Sequence, residues 1–354
     1  MTFWEKFKTD PQAKAGYELK LQILAAIRAF FTQRGLFEVD APVLQKALIP
    51  ESYLDIFETD EIRRSLEGKT TSKRYLLTSP ESFQKKLLAA GFGSNFAITK
   101  SFRNGEPISG KHLTEFSMLE WYEVGSNYEN VMKTTEELFV FIANFIKKDP
   151  ESIKYRENLI NFEGPWLRLS MRDAFLQNID LDLEQSWDTT TQSFSKEKLA
   201  QLIRDKKLPI NITPESNWEE LFNQLFLTYV EPNFDPTKPV ILYDFPSELS
   251  PLAKARAGQT TSDLLWAERF EVMVGTLELC DTYTENTNAD KQAAAFKREE
   301  QSIREKGKSI YPSDESFIQA LRSGIPECSG NALGIDRLVM LFGDIENIDI
   351  FDFS

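Results

Sequence analysis

Histidine is almost absent: His112 is the only one in 354 residues. A serine- or cysteine-protease triad needs a histidine base and a His-rich metal centre needs several, so neither chemistry fits this chain. Cysteine is nearly as scarce. Cys280 and Cys328 are too few for a disulfide framework or a Cys-rich zinc site, which predicts a reducing compartment. No apolar run approaches the roughly 20 residues of a membrane span. The opening MTFWEKFKTDPQ lacks the apolar core of a signal peptide. These absences together predict a soluble, cytoplasmic protein. Positive charge is also in deficit: 41 basic against 55 acidic residues leave a net −14. A protein that coats nucleic acid is usually basic, so nucleic acid is disfavoured as the main partner. Glycine and proline, 16 each, are too few for a low-complexity chain.

What is present reads as an ordinary globular chain. Asp10 can cap a helix with Pro11 in its first turn. Leu19, Ile23, Leu24, Ile27, Phe30 and Phe31 continue it as an apolar stripe, and Gly35 stops it. An extended piece, LFEVDAPVL, follows, which Pro42 confines to an edge or a kink. Strands are predicted at 74–80, 95–104, 114–124 and 238–246, and a hairpin at 268–280 with Gly275-Thr276 at its turn. Helices are predicted at 81–91, 127–148 and 288–307. The chain closes with SGNALGI as a strand running into the helix DRLVMLFG. Residues 150–240 read as a mainly helical insertion on one catalytic domain spanning 1–354. No long crossover helices separate successive strands, which favours an α+β architecture with an antiparallel or mixed sheet.

Four places hold residues suited to chemistry. In the strand 114–124 a period of two puts Phe116, Met118, Glu120, Tyr122 and Val124 on one face. A carboxylate on that mostly apolar face must be solvated, paired or bound to a ligand cation, and the strand alone leaves all three open. A two-residue turn at Gly275-Thr276 would put Glu271, Met273, Glu278 and Cys280 on one face of the hairpin. Glu271 and Glu278 would then be diagonal neighbours about 7–8 Å apart. A solvated acidic face is the simpler reading of that spacing; Mg²⁺ between carboxylates and a phosphate is the functional one. Gly330 to Gly334 enter a helix beginning Asp336-Arg337, where glycines admit a ligand and a helix N-terminus favours an anion; close strand–helix packing explains the glycines equally. Arg103 could clamp a phosphate and Phe116 could stack a base.

The order of these pieces carries more than any one of them. SFRN-GEPISGK-H-LTEFSMLEWY resembles motif 2 of the class II aminoacyl-tRNA synthetases, SGNALGIDRLVML resembles motif 3, and the first helix with Pro42 resembles motif 1. LTSPESFQKKLL, EFSMLEWY, LSPLA and the ERFE…LEL hairpin are typical of the lysyl branch. The first helix begins near Pro11, without room before it for the anticodon-binding domain of the tRNA-charging enzymes. The chain therefore looks like the stand-alone catalytic-domain family, the elongation factor P–lysine ligases, which IPECSGNALG also resembles. That resemblance implies ATP and Mg²⁺ as cofactors, elongation factor P as the acceptor, and a homodimer formed through motif 1. It implies that Arg103 and Arg337 neutralise charge in the reaction. ATP would be held by Arg103, Asn104, Glu106, His112, Phe116, Glu278, Leu279, Gly334 and Arg337, and the metal by Glu271 and Glu278. Ser79, Glu81, Glu120, Tyr122, Asp281, Glu285 and Ala332 would form the amino-acid pocket, with carboxylates suited to a lysine-like substrate such as (R)-β-lysine. Ala332 stands where the tRNA-charging enzymes usually have glycine, which would reshape the pocket wall.

The chain also departs from that pattern. Asp281 and Thr282 replace an Asn-Gly pair, Leu113 stands where asparagine is usual, and Gly105 displaces the acidic residue that follows Arg-Asn, here Glu106. Two other functions compete with the leading one. One is activation of another amino acid for a different protein, a small molecule or a tRNA. The other is a non-catalytic, regulatory paralogue that binds an amino acid or a nucleotide, against which the retained Arg103, Glu271, Glu278 and Arg337 argue.

Overall fold

The computed structural model describes residues 3–107, 109–256 and 265–352. Its first long helix, Pro11–Gln33, begins as its sequence dictates, with the Asp10 carboxylate accepting from the Gln12 and Ala13 N–H groups. Of the apolar stripe, Ile23, Ile27, Phe30 and Phe31 are buried and Leu19 and Leu24 half-buried, and Gly35 follows at φ +78°, the left-handed backbone that glycine adopts freely. This helix packs beside Tyr128–Phe145 and Ile335–Gly343. Their shared core includes Phe31, which stacks on Phe96 with ring centroids 5.2 Å apart and lies 5.0 Å from Trp121.

These helices cover one face of an eight-stranded sheet. Its strands, in chain order, are β1 (Phe37–Glu38), β2 (Asn95–Phe102), β3 (Glu115–Val124), β4 (Leu167–Ser170), β5 (Pro239–Pro246), β6 (Trp266–Val274), β7 (Leu277–Thr284) and β8 (Cys328–Gly334). They lie side by side as β1-β2-β3-β8-β7-β6-β5-β4. Pairing is antiparallel throughout the centre and parallel only at the two ends, β1 with β2 and β4 with β5. The α+β class expected from the interleaved strands and helices is the class observed.

A second apolar core lies on the opposite face, at the β4–β6 end. There Phe175, Leu221 and Phe222 pack on Leu242 and Met273. The segment 150–240 supplies its helices Met171–Ile179, Lys196–Asp205 and Trp218–Leu225. The same segment also holds a small hairpin, Ile153–Tyr155 with Asn158–Ile160, and the edge strand β4. Of the strand expected at 74–80, only 74–76 is strand, as the end of a longer one, Gly68–Leu76, which pairs with Glu58–Ser65, while 77–80 lead as irregular chain into the next helix. That partner was not anticipated, because ETDEIRRS is exposed along nearly its whole length and has no apolar alternation to announce it.

Candidate active site

The open face at the centre of the sheet is the floor of a cavity of about 720 Å³. Strand register places its residues in rows that run across the strands. Tyr122, Gly330, Tyr283 and Arg269 form one row on β3, β8, β7 and β6. Glu120, Ala332, Asp281 and Glu271 form the next. The middle strand, β8, sets the small residues Gly330, Ala332 and Gly334 under the cavity, with Cys328 beyond them on the same face. The floor is therefore a trough along β8, with large polar side chains rising on both sides.

Glu271 and Asp281 face each other because β7 contains a bulge. Met273 pairs with Glu278, but Val272 pairs with Cys280, so Leu279 is the extra residue. The bulge reverses the alternation, and Glu278 and Asp281, three residues apart, reach the same side. This corrects the face expected for Cys280. It pairs with Val272, away from Glu271, is buried in the helix-covered core, and lies 3.5 Å from Asn331 Nδ2.

At one end of the trough the site is acidic and dry. Glu120 is 3% exposed. The Tyr122 hydroxyl donates to its Oε1 at 2.6 Å, and its Oε2 has no hydrogen-bond partner among the described residues. Burial, reinforced by Glu81 nearby, pushes this carboxyl well above its ordinary pKa. Glu81 Oε1 accepts from Tyr283 at 2.8 Å and from the Lys85 ammonium, which also pairs with Glu285. Beside them Arg269 donates to Asp281 Oδ1 at 2.8 Å, Glu271 Oε1 at 2.7 Å and the Leu249 carbonyl at 2.8 Å. Burial would lower the Arg269 pKa, but Asp281 and Glu271 outweigh it and hold it raised. The negative charge that Asp281 adds is thus taken up within the protein.

The other end is cationic. Arg103 lies over the Phe116 ring, 5.3 Å from its centroid, and its buried Nε has no hydrogen-bond partner among the described residues. Arg337 donates from Nη1 to the Glu278 carbonyl at 2.9 Å and from Nε to the Lys111 carbonyl at 3.2 Å. Lys111 Nζ reaches the Thr276 carbonyl at 2.8 Å, tying the loop after β2 to the β6–β7 turn. His112 Nδ1 is 2.6 Å from Ser109 Oγ. Burial, then repulsion from Arg337, lowers the His112 pKa, so the ring is neutral at pH 7 until an anion arrives. The helix carrying Arg337 is itself fixed. Asp336 accepts from Lys20 Nζ at 2.5 Å and from the Ser117 N–H at 2.6 Å, all three residues being buried.

Among the described residues no group of three or more His, Cys, Asp or Glu forms a ready-made metal centre. The donors present nevertheless suit a hard cation. Glu271 and Glu278 present carboxylate oxygens on one face, the donor type such a cation takes. Burial and the repulsion of Glu278 and Asp281 raise the Glu271 pKa, against the pull of Arg269. A divalent cation would relieve that repulsion.

Of the residues singled out from sequence, the structure gathers Ser79, Glu81, Arg103, Glu106, His112, Phe116, Glu120, Tyr122, Glu271, Glu278, Leu279, Asp281, Ala332, Gly334 and Arg337 around this cavity. Two do not line it. Glu285 is buried behind Glu81, on the far side of Lys85. Asn104 is exposed; its N–H donates to the Asp55 carbonyl at 2.8 Å and its side chain accepts from the Gly105 N–H. Lys85 and Arg269 were missed, although both left a signal. Lys85 follows Glu81 by one helical turn, and Arg269 precedes Glu271 by two on the same strand face.

Residues 6–351 match the tRNA synthetases class II (D, K and N). Several curated relatives bear one name, elongation factor P–(R)-β-lysine ligase. That of Pectobacterium atrosepticum is 35% identical over 349 residues, 98% of this chain and 97% of the relative. That of Yersinia enterocolitica is 34% identical over 319 residues, 90% and 88% of the two chains. That of Salmonella typhi is 32% identical over 336 residues, 94% and 92%.

Proposed function

The chain belongs to the class II tRNA synthetases and, within them, to the elongation factor P–(R)-β-lysine ligases, and from that premise we propose how its site works. It is an ATP-dependent ligase. It activates a lysine-like amino acid, (R)-β-lysine in our reading, and joins it to a lysine of elongation factor P. One observation carries this reading: a single cavity holds two buried atoms without a hydrogen-bond partner among the described residues, the carboxylate oxygen Glu120 Oε2 and the guanidinium nitrogen Arg103 Nε. The first awaits a cation and the second an anion. Glu120 lies four residues from Phe116 on β3, roughly 13 Å at ~3.3 Å per residue. An ammonium at Glu120 therefore leaves a substrate carboxylate pointing toward Arg103.

The amino-acid carboxylate attacks the α-phosphorus of ATP, forming the aminoacyl-adenylate and releasing pyrophosphate. It is already ionised, so no side-chain nucleophile or histidine base is required. Arg103 holds the α-phosphate beside Phe116, which offers its ring to adenine, and Arg337 faces the phosphates from the helix fixed by Asp336. Glu271 and Glu278 would hold Mg²⁺, which would supply neutralisation of phosphate charge. The rest of the catalysis is positioning and charge neutralisation. In the second step the lysine amine of the acceptor attacks the adenylate carbonyl; an amide forms, AMP departs, and the amine loses a proton.

ATP–pyrophosphate exchange with (R)-β-lysine, L-lysine and the other amino acids tests the reading. Preference for (R)-β-lysine, followed by label transfer to elongation factor P, supports it. Strong exchange with a different amino acid would move the substrate and the acceptor, and none with any would remove adenylation. A homodimer is part of the same proposal. Leu21, Phe37 and Leu44, on and after the first long helix, are exposed and apolar. A monomeric mass by light scattering at micromolar concentration would contradict it.

A further inference from the structure

We infer that Lys85 sets the charge of the amino-acid pocket: it is a built-in cation that bridges Glu81 and Glu285, leaving Glu120 as the open contact for the substrate's ammonium group. The inference rests on the functional reading above and adds to it a specificity-determining, positioning residue.

The Lys85 side chain is 3% exposed and bridges the Glu81 and Glu285 carboxylates, whose side chains are 10% and 2% exposed. Its ammonium is framed by aromatic faces, 5.2 Å from the Tyr283 ring centroid, 5.6 Å from that of Phe317 and 6.0 Å from that of Tyr122. Such a cage favours a cation. Three carboxylates and one ammonium share this end of the trough. Fully ionised, they leave two negative charges, the number matched by a diamino acid's two ammonium groups. Without Lys85, three carboxylates would crowd a dry pocket, and like charges at such range do not all ionise. At least one would keep its proton at neutral pH and offer the substrate a neutral acid instead of an anion.

The titration of the cluster agrees with its geometry. Burial alone would lower the Lys85 pKa, but Glu285 and Glu81 outweigh it and hold it raised. Burial pushes Glu285 up, with Lys85 opposing and Glu81 adding to the rise. The groups facing Lys85 are Glu81 on its own helix, Glu120 and Tyr122 from β3, Tyr283 and Glu285 on and after β7, and Cys328 from β8. Burial raises the tyrosines and the cysteine too, so these three groups near the ammonium stay neutral around pH 7.

The test is exchange kinetics on Lys85→Met, with Lys85→Gln as the second variant should the first not fold. At about pH 7 the KM for the diamino acid should rise about tenfold or more, since the pocket loses an ionised carboxylate. The KM for ATP should stay within about twofold, because the nucleotide end is untouched. The variant's KM, relative to wild type, should fall at least about threefold from pH 6.5 to pH 8.5 as the retained proton is released. In Lys85→Ala, n-butylammonium should restore activity by re-supplying the cation. A diamino-acid KM within threefold of wild type in both folded variants, or a rise that is flat with pH and deaf to butylammonium, would overturn the inference. A wild-type enzyme that exchanges with no diamino acid overturns the functional reading instead, so the two failures are distinct.

Discussion

At Gly330 a methyl group has no room. A Cβ there would lie 2.3 Å from Tyr122 Cε1 and 2.7 Å from Cδ1, so the ring would have to leave its place over β8. With it would go the hydroxyl that orders Glu120. Gly330→Ala should cost about 1–3 kcal/mol, the range for overpacking, and should raise the amino-acid KM more than the ATP KM; urea denaturation and exchange kinetics check both. Gly334 is different, because a Cβ there meets only Arg337 carbons at 3.8–3.9 Å. Its small size serves the trough, not the packing. Arg103→Ala should lower the exchange rate by about 10²–10³, the usual loss when one preorganised donor to developing charge is removed, with the melting temperature little changed because Nε holds no hydrogen-bond partner among the described residues. Residues of this kind were legible to different degrees. Glu120 could be read from the strand, because a lone carboxylate in an apolar period-two stripe must have a reason. Glu285 could be assigned only by family resemblance, and its place behind Lys85 depends on three elements meeting in space.

Among elements, the helix Ile335–Gly343 has no side-chain cap at its start. It is held instead by Asp336, which is tied to Lys20 on the first long helix and to the Ser117 N–H on β3. Asp336→Ala leaves Lys20 buried and unpaired and should cost about 3–5 kcal/mol. The double variant Lys20→Met, Asp336→Leu should cost clearly less than the sum of the single changes, which chemical denaturation of all three would reveal. Helices and central strands were readable from periodicity, because their apolar stripes face a core. The β6–β7 hairpin was readable only as far as its turn. Val274 does pair with Leu277 and Met273 with Glu278, but a bulge obeys no composition rule. The period-two reading therefore held until Glu278 and then lost its phase at Leu279.

For the molecule as a whole, the α+β class and the cavity's position on the sheet were foreseeable; which buried charges tune its stability was not. Asp244 shows why. It sits at a bulge in β5 with φ +56° and is buried. It accepts from the Tyr128 hydroxyl at 2.9 Å and from Arg256 at 2.5 Å. Burial pushes its pKa up to about 6, with Arg256 opposing. The unfolded chain gives up this proton near pH ~4, so between about pH 4 and 6 the native state holds more protons than the unfolded one. Stability must then fall as pH rises through that window, by about 2–3 kcal/mol. Asp244→Asn, which tolerates the left-handed backbone, should remove that slope. The gap between variant and wild-type denaturation free energies, followed from pH 4 to 7, should change by that amount, and a constant gap would refute it.

The extra residue at Leu279 also constrains the gene. Removing its codon would take out the bulge and leave Glu278 and Asp281 two residues apart, sharing a side by ordinary alternation opposite Met273 and Glu271. Removing a second codon beside it would make the two carboxylates neighbours on opposite sides and turn one of them toward the helix-covered core. Length drift in this arm of the hairpin can therefore shed one codon and keep the site, but not two.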